Sequence, residues 1–86
     1  MVSRKIIVTN PDGFHLRTAK KLIDKTSGFT SNITIIFKDT RIDAKSIINI
    51  MLACIKCGSE IEIECDGADE QQALEAVVDV IENGLE

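Results

Sequence analysis

The one histidine of this chain, His15, follows Asn10-Pro11-Asp12-Gly13, four consecutive turn-forming residues, and precedes Arg17 by two positions. From Leu16 onward apolar residues recur at steps of three and four, which places His15 where a loop enters the first turn of a helix. Helix N-termini present unpaired backbone N–H groups and about half a positive charge, so an anion is favoured there. A neutral imidazole nitrogen is a nucleophile. A phosphoryl group accepted on it would be held by those amides and by the Arg17 guanidinium. Without further information a lone loop histidine is more often an ordinary surface residue, and the spacing alone does not decide.

Other residues invite chemistry less strongly. Ser46 stands immediately before Ile47, Ile48, Ile50, Met51 and Leu52, so its hydroxyl can cap a short helix by accepting an orphaned backbone N–H. A carboxylate at Asp12 would raise the pKa of a nearby His15 and also repel an incoming phosphoryl group; the plain alternative, preferred here, is a turn residue. Cys54-Ile55-Lys56-Cys57 has C-x-x-C spacing. Zinc wants four ligands, and only Cys65 and His15 remain to complete such a set. A thioredoxin-like pair would open a helix after a strand, whereas these cysteines fall at a helix end, so structural cysteines are the better reading. Gly28 and Gly58 read as terminators, with no G-x-G-x-x-G or P-loop pattern to cradle a nucleotide. No cofactor or metal is implied.

The elements that must position these groups are legible in outline. Residues 4–9 form a β-branched cluster that stops at the turn residues. Leu16, Ala19, Leu22, Ile23 and Thr26 make the inner stripe of a helix of about three turns that closes near Gly28, with Arg17, Lys20, Lys21, Asp24 and Lys25 on its other face. Residues 33–37 and 41–43 read as a hairpin across Lys38-Asp39-Thr40, and the helix capped by Ser46 ends by Gly58. Glu60-Ile61-Glu62-Ile63-Glu64-Cys65 alternates strictly, a half-buried strand. After the Asp66-Gly67 turn, Asp69 with Gln72 resembles a capping box. A last helix then buries Leu74, Val77, Val78, Ile81 and Leu85, leaving Glu75, Asp79, Glu82 and Glu86 as a solvated stripe. The order β-α-β-β-α-β-α predicts an α+β fold: one four-stranded antiparallel sheet, one wet face, and three helices on the other.

Composition narrows the function classes. Eighty-six residues allow one small domain spanning 1–86 and rule out a large two-domain catalyst. With 3% aromatic residues and a net charge of −4, the chain lacks both ingredients of a stacking, basic nucleic-acid surface. No apolar run approaches the ~20 residues of a membrane span, no signal-peptide pattern opens the chain, and three cysteines suit a reducing compartment, so a cytoplasmic address is expected. The acidic balance conceals an asymmetry: Arg17, Lys20, Lys21 and Lys45 are expected around His15 and Ser46, with the acidic residues on the last strand and helix.

Four stretches, Asp12 to Ala19, Gly28 to Ser31, Ala44 to Met51 and Asp66 to Glu70, resemble the histidine-containing phosphocarrier (HPr) family of the bacterial phosphoenolpyruvate-dependent sugar phosphotransferase system. The resemblance covers essentially the whole chain. It implies an open-faced β-sandwich and a phosphoryl relay rather than a self-sufficient catalyst: His15 accepts the group from enzyme I, Arg17 stabilises it, and sugar-specific IIA components receive it. Ser46 is similar to the regulatory serine that HPr kinase/phosphorylase modifies in low-GC Gram-positive members, where a catabolite-control transcription regulator is a further partner. A phosphate there adds about −1.5 to −2 charge at a helix start; the bland alternative is an N-cap worth about 1 kcal/mol. Ile47 and Met51, one turn apart, can equally serve core packing or partner docking, with Lys20 and Lys45 beside them. A carrier that docks alternately on two proteins is expected to be a monomer.

Two departures stand out. Thr18 occupies the place of the family's proline, which costs about 0.4–1 kcal/mol of preorganisation and restores one N–H and a hydroxyl, either able to meet phosphoryl oxygens or water. Ile48 and Asn49 depart from the methionine and glycine common after Ser46-Ile47 in Gram-positive members, so the regulatory assignment is less specific than that of His15. The competing reading is a regulatory paralogue that acts through phosphorylated Ser46 with His15 idle.

Overall fold

The two periodicities, of two and of three to four residues, sort the computed structural model, which describes residues 1–11 and 13–83, into seven elements. These are β1 (Val2–Ile7), α1 (Leu16–Thr26), β2 (Asn32–Phe37), β3 (Thr40–Asp43), α2 (Ile47–Leu52), β4 (Glu60–Asp66) and α3 (Glu70–Asn83). The expectations for Asp12, Leu85 and Glu86 lie outside the described residues. The strands form one antiparallel sheet in the order β1-β4-β2-β3, so the alternating strand sits second, between β1 and β2. Its register pairs Ile61 with Ile6 and Ile63 with Ile35, and Ile35 in turn pairs with Ile42. These isoleucines are buried and meet Ala19, Leu22, Ile50, Ala73, Leu74, Val77, Val78 and Ile81 from the helices in one core. A fully buried isoleucine such as Ile35 contributes about 1.5–3 kcal/mol by leaving water. The opposite sheet face is polar and carries an ion pair from Arg41 to Glu64. This is the α+β architecture that the alternation called for.

Several details differ from the sequence reading. Strand β1 lies earlier, at Val2–Ile7 rather than 4–9; Val8 instead brackets the loop before β4, its N–H on Ser59 O and its O on Gly58 N–H. Helix α1 ends at Thr26 with Ser27 as its C-cap in ordinary right-handed geometry, so Gly28 lies near the end without supplying a left-handed stop. Leu16, assigned to the inner stripe, is 61% exposed; Thr18 takes its place inside with Ala19, Leu22 and Thr26. Leu16 and Thr18 each fall three or four residues before a buried position, Ala19 or Leu22, so the period alone does not choose between them. The β2–β3 turn is Lys38-Asp39, both with positive φ, the twist a two-residue hairpin requires, here without glycine. Asp69 does not use its carboxylate on Gln72. It accepts the N–H groups of Thr30 (2.9 Å) and Ser31 (3.0 Å) and the Ser31 hydroxyl, while Glu70 takes Gly67 N–H. These bonds hold the Asp69 carboxyl at about 2, down from 3.8, the Ser31 hydroxyl contributing most.

Helices α1 and α2 run antiparallel. The Thr26 hydroxyl donates to Ala44 O (3.0 Å) and the Lys45 ammonium to Phe29 O (2.7 Å), tying the start of α2 to the end of α1. At the other end Phe14 N–H donates to Ile55 O (2.9 Å), tying the segment after α2 to the residue just before His15.

Candidate functional site

His15 is the N-cap of α1, with the extended backbone (φ −114°, ψ −174°) that a capping residue adopts. Its Nδ1 accepts the Arg17 N–H at 3.2 Å, and its side chain also takes the Thr18 N–H. The bond is reciprocated: the Thr18 hydroxyl accepts the His15 N–H at 3.0 Å and donates to Gly13 O at 2.9 Å. The result is a capping box with an imidazole where serine or threonine usually stands. Chemically, an accepting Nδ1 carries its lone pair toward the helix start, where backbone donors and the positive end of the helix dipole converge. Arg17, exposed on the first turn, can bring its guanidinium to an anion at that point.

The loop before His15 is built to a tight tolerance. Gly13 has φ +62°, and a Cβ there would press inside contact distance of Ile55 O and lie 2.8 Å from Lys56 Cα. Asn10, buried, donates from Nδ2 to Gly13 O at 2.7 Å. Thus the two residues that precede His15 are held by the 55–56 backbone, and Arg17 and Thr18 after it are held by His15 itself.

The other predicted site residues fall into two groups. Thr18 is 2% exposed, and its hydroxyl is committed to Gly13 and His15; of its two added donors, neither points to solvent. Lys20 is exposed on α1. Ser46 caps α2 through a long bond from Asn49 N–H (3.4 Å), and it sits beside the C-terminal end of α1, with His15 at the opposite end of that antiparallel pair. Lys45 turns its ammonium to Phe29 O, on the Ser46 side. The expected ring of cations around both residues is therefore divided between two places about one helix length apart, roughly 16 Å for eleven residues. Ile47 is half-buried against the core, and Met51 is exposed.

Two features escaped the sequence reading. Besides Met51, the residues Leu16, Ile48 (66% exposed) and Leu52 (74%) offer large apolar side chains to solvent around α2 and the first turn of α1. The signal was available: α2 has five apolar residues in six, more than a helix of under two turns can bury, and only Ile50 is fully inside. The second is that Cys54 and Cys57 are exposed while Cys65 alone is buried, so only the last is structural in the sense of core packing. A concavity of about 490 Å³ lined by Thr34, Arg41, Asp43 and Glu64 lies on the polar side of the sheet and does not involve His15.

Over residues 2–83 the chain matches the family model described as PTS HPr component phosphorylation site. It belongs to the HPr family of phosphocarriers. The HPr of Mycoplasma capricolum is 43% identical over 77 residues, covering 90% of this chain and 86% of that one. The HPr of Xylella fastidiosa strain 9a5c is 39% identical over 83 residues, covering 96% and 93%. Among solved structures, HPr-C-His from Thermoanaerobacter tengcongensis superposes with a TM-score of 0.94 at 32% identity, covering 99% of this chain and 96% of that one. The HPr fold is thus shared over nearly the whole length, and the family resemblance read from the sequence holds.

Proposed function

We propose that this protein relays a phosphoryl group on His15 Nδ1, taking it from phosphorylated enzyme I and delivering it to sugar-specific IIA proteins. The observation that carries the reading is the bond from Arg17 N–H to His15 Nδ1, which aims the one lone pair able to attack phosphorus at the donors that would hold the product. In the transfer, Nδ1 forms the N–P bond as the bond from phosphorus to the donor's leaving atom breaks. Such transition states are stabilised chiefly by position and charge rather than by covalent help. The Arg17 and Thr18 N–H groups then pass from the ring nitrogen to phosphoryl oxygens, and the Arg17 guanidinium adds a charge-assisted contact. The Thr18 hydroxyl keeps Gly13 and His15 in place during that exchange, a positioning role in the site where the family has proline.

Met51, Ile48, Leu16 and Leu52 form the apolar part of the docking face, and Lys20 adds charge to it. Ser46 is the regulatory position, modified by HPr kinase/phosphorylase and read by a catabolite-control regulator, and the whole chain acts as one cytoplasmic, monomeric domain. No helix among the described residues is long and apolar enough to cross a membrane.

The test is incubation with phosphoenolpyruvate and enzyme I, followed by mass measurement. The expected product is an acid-labile phosphoryl adduct absent from His15→Ala and passed on when a IIA protein is added. No adduct with a cognate enzyme I overturns the relay, and labelling by HPr kinase at Ser46 alone would leave the regulatory paralogue instead.

A further inference from the structure

The exposed thiols lie on a loop that supports the site. Between α2 and β4, Ile55 is buried and anchors the segment, while Cys54 and Cys57 on either side of it are exposed. Cys54 directly follows the Ala53 C-cap of α2 and holds the left-handed backbone (φ +55°) in which helices commonly end, so the loop turns at this residue. Each sulfur rests near a carbonyl: Cys54 Sγ is 3.8 Å from Met51 O, and Cys57 Sγ is 3.7 Å from Thr9 O. The same segment carries the strand-to-site loop through Val8 N–H to Ser59 O (2.9 Å), Gly58 N–H to Val8 O (2.7 Å) and Phe14 N–H to Ile55 O (2.9 Å). Any change of shape between residues 54 and 57 is therefore passed to Gly13, Phe14 and the His15 cap.

We propose that Cys54 and Cys57 form a thiol–disulfide site that reacts with small-molecule disulfides and, when closed, moves the His15 loop. One thiolate attacks a sulfur of the small disulfide, forming a mixed disulfide and releasing one small thiolate. The second cysteine then attacks the protein sulfur of that mixed disulfide, the ring closes, and a second small thiolate leaves. Two electrons pass from the dithiol to the small disulfide, which ends as two thiols. Closure needs the two Cα atoms about 4.4–6.8 Å apart, and it removes the S–H groups that Cys54 and Cys57 direct to Met51 O and Thr9 O. Cys65 is the internal control, since its burial pushes the thiol up to about 11, with Glu70 and Asp69 adding to the rise. The effect on transfer rests on the relay reading above; the chemistry at sulfur does not.

The experiment treats the reduced protein with oxidised glutathione and reads intact mass, an unreduced peptide map, and the NMR signals of the Phe14 amide and His15 ring. The expected product is lighter by two hydrogens, linked between Cys54 and Cys57, with Cys65 still free. The Phe14 and His15 signals shift and return with dithiothreitol, and Cys54→Ser and Cys57→Ser each stop at one glutathione adduct. Phosphoryl uptake should fall by roughly tenfold or more, as displacing a reacting group by about 1 Å can cost on the order of 10²-fold. Three outcomes overturn the proposal: wild type stopping at glutathione adducts, a link that involves Cys65 or a second molecule, or a Cys54–Cys57 link that leaves the Phe14 and His15 signals unmoved. A reduced protein that takes up no phosphoryl group would refute the relay while leaving the mass and NMR results to decide this site.

Discussion

Two helices in this molecule begin on a side chain with a functional reading, and they begin differently. At the start of α1 the cap is reciprocal: His15 takes the Arg17 and Thr18 N–H groups, Thr18 returns a bond to His15, and a buried Thr18 and a tightly fitted Gly13 hold both in place. At the start of α2 one hydroxyl makes one long bond, from Asn49 N–H at 3.4 Å, and the six-residue helix that follows buries only Ile50. The first arrangement fixes a nitrogen in one orientation with its donors beside it. The second leaves an oxygen accessible on a helix with little holding it beyond its neighbours. Under the proposed function, His15 must attack in line and needs the former, and Ser46 must enter another protein's active site and is better served by the latter.

That contrast can be broken most severely at Gly13. Gly13→Ala places a Cβ against Ile55 O and Lys56 at positive φ, and it should cost about 2–4 kcal/mol in urea unfolding along with a slowed phosphoryl uptake. A wild-type unfolding midpoint would mean that the loop before His15 is not held as described. Next comes Thr18→Val, which keeps the shape and removes the hydroxyl, leaving Gly13 O and His15 N–H without it. The expected loss is about 1–3 kcal/mol, with uptake reduced alongside; equal stability would show that the capping box is dispensable.

Acid should separate the two ends by a smaller effect. The Asp69 carboxyl lies at about 2 against 3.8 when unfolded, so its contribution is complete above about pH 4 and disappears as the pH falls toward 2. It grips Thr30 and Ser31, next to Phe29, whose carbonyl holds Lys45. Hydrogen exchange between pH 4 and 2 should therefore rise first around residues 29–31 and 45–46, and Asp69→Asn should flatten that dependence. Smallest of all is Ser46→Ala, for which a long, exposed bond predicts about 0.5 kcal/mol or less by thermal unfolding. A loss comparable to that of Thr18→Val would erase the distinction between the two starts.

Where the sequence was informative, a short-range pattern coincided with the tertiary outcome. The alternation of residues 60–65 put Ile61, Ile63 and Cys65 inside, and the turn residues before His15 put it at a helix start. Where it misled, a distant partner won. Asp69 has a local capping role available and instead reaches back 38 residues to Ser31. Ser46 and His15 are both helix starts, but nothing in their spacing shows that α1 and α2 run antiparallel and part them. The helix period is satisfied by Leu16 and by Thr18 alike, three or four residues before Ala19 and Leu22, and hydropathy alone favours the leucine over the threonine that is buried. C-x-x-C spacing likewise does not show that Cys54 and Cys57 are exposed while Cys65 is buried.

The size of the molecule also sets a limit on throughput. A typical protein partner covers about 800 Å² of one side, close to a sixth of the 4848 Å² that this molecule presents to water, and because donor and acceptor must each cover the single histidine their footprints overlap. Each must depart before the next arrives. With association at ~10⁷ M⁻¹s⁻¹, a residence time near 10 ms corresponds to a Kd of about 10 μM, and tightening it a hundredfold would slow the relay to about one exchange per second. A shallow, six-residue helix with only one residue fully buried is suited to contacts of that brevity.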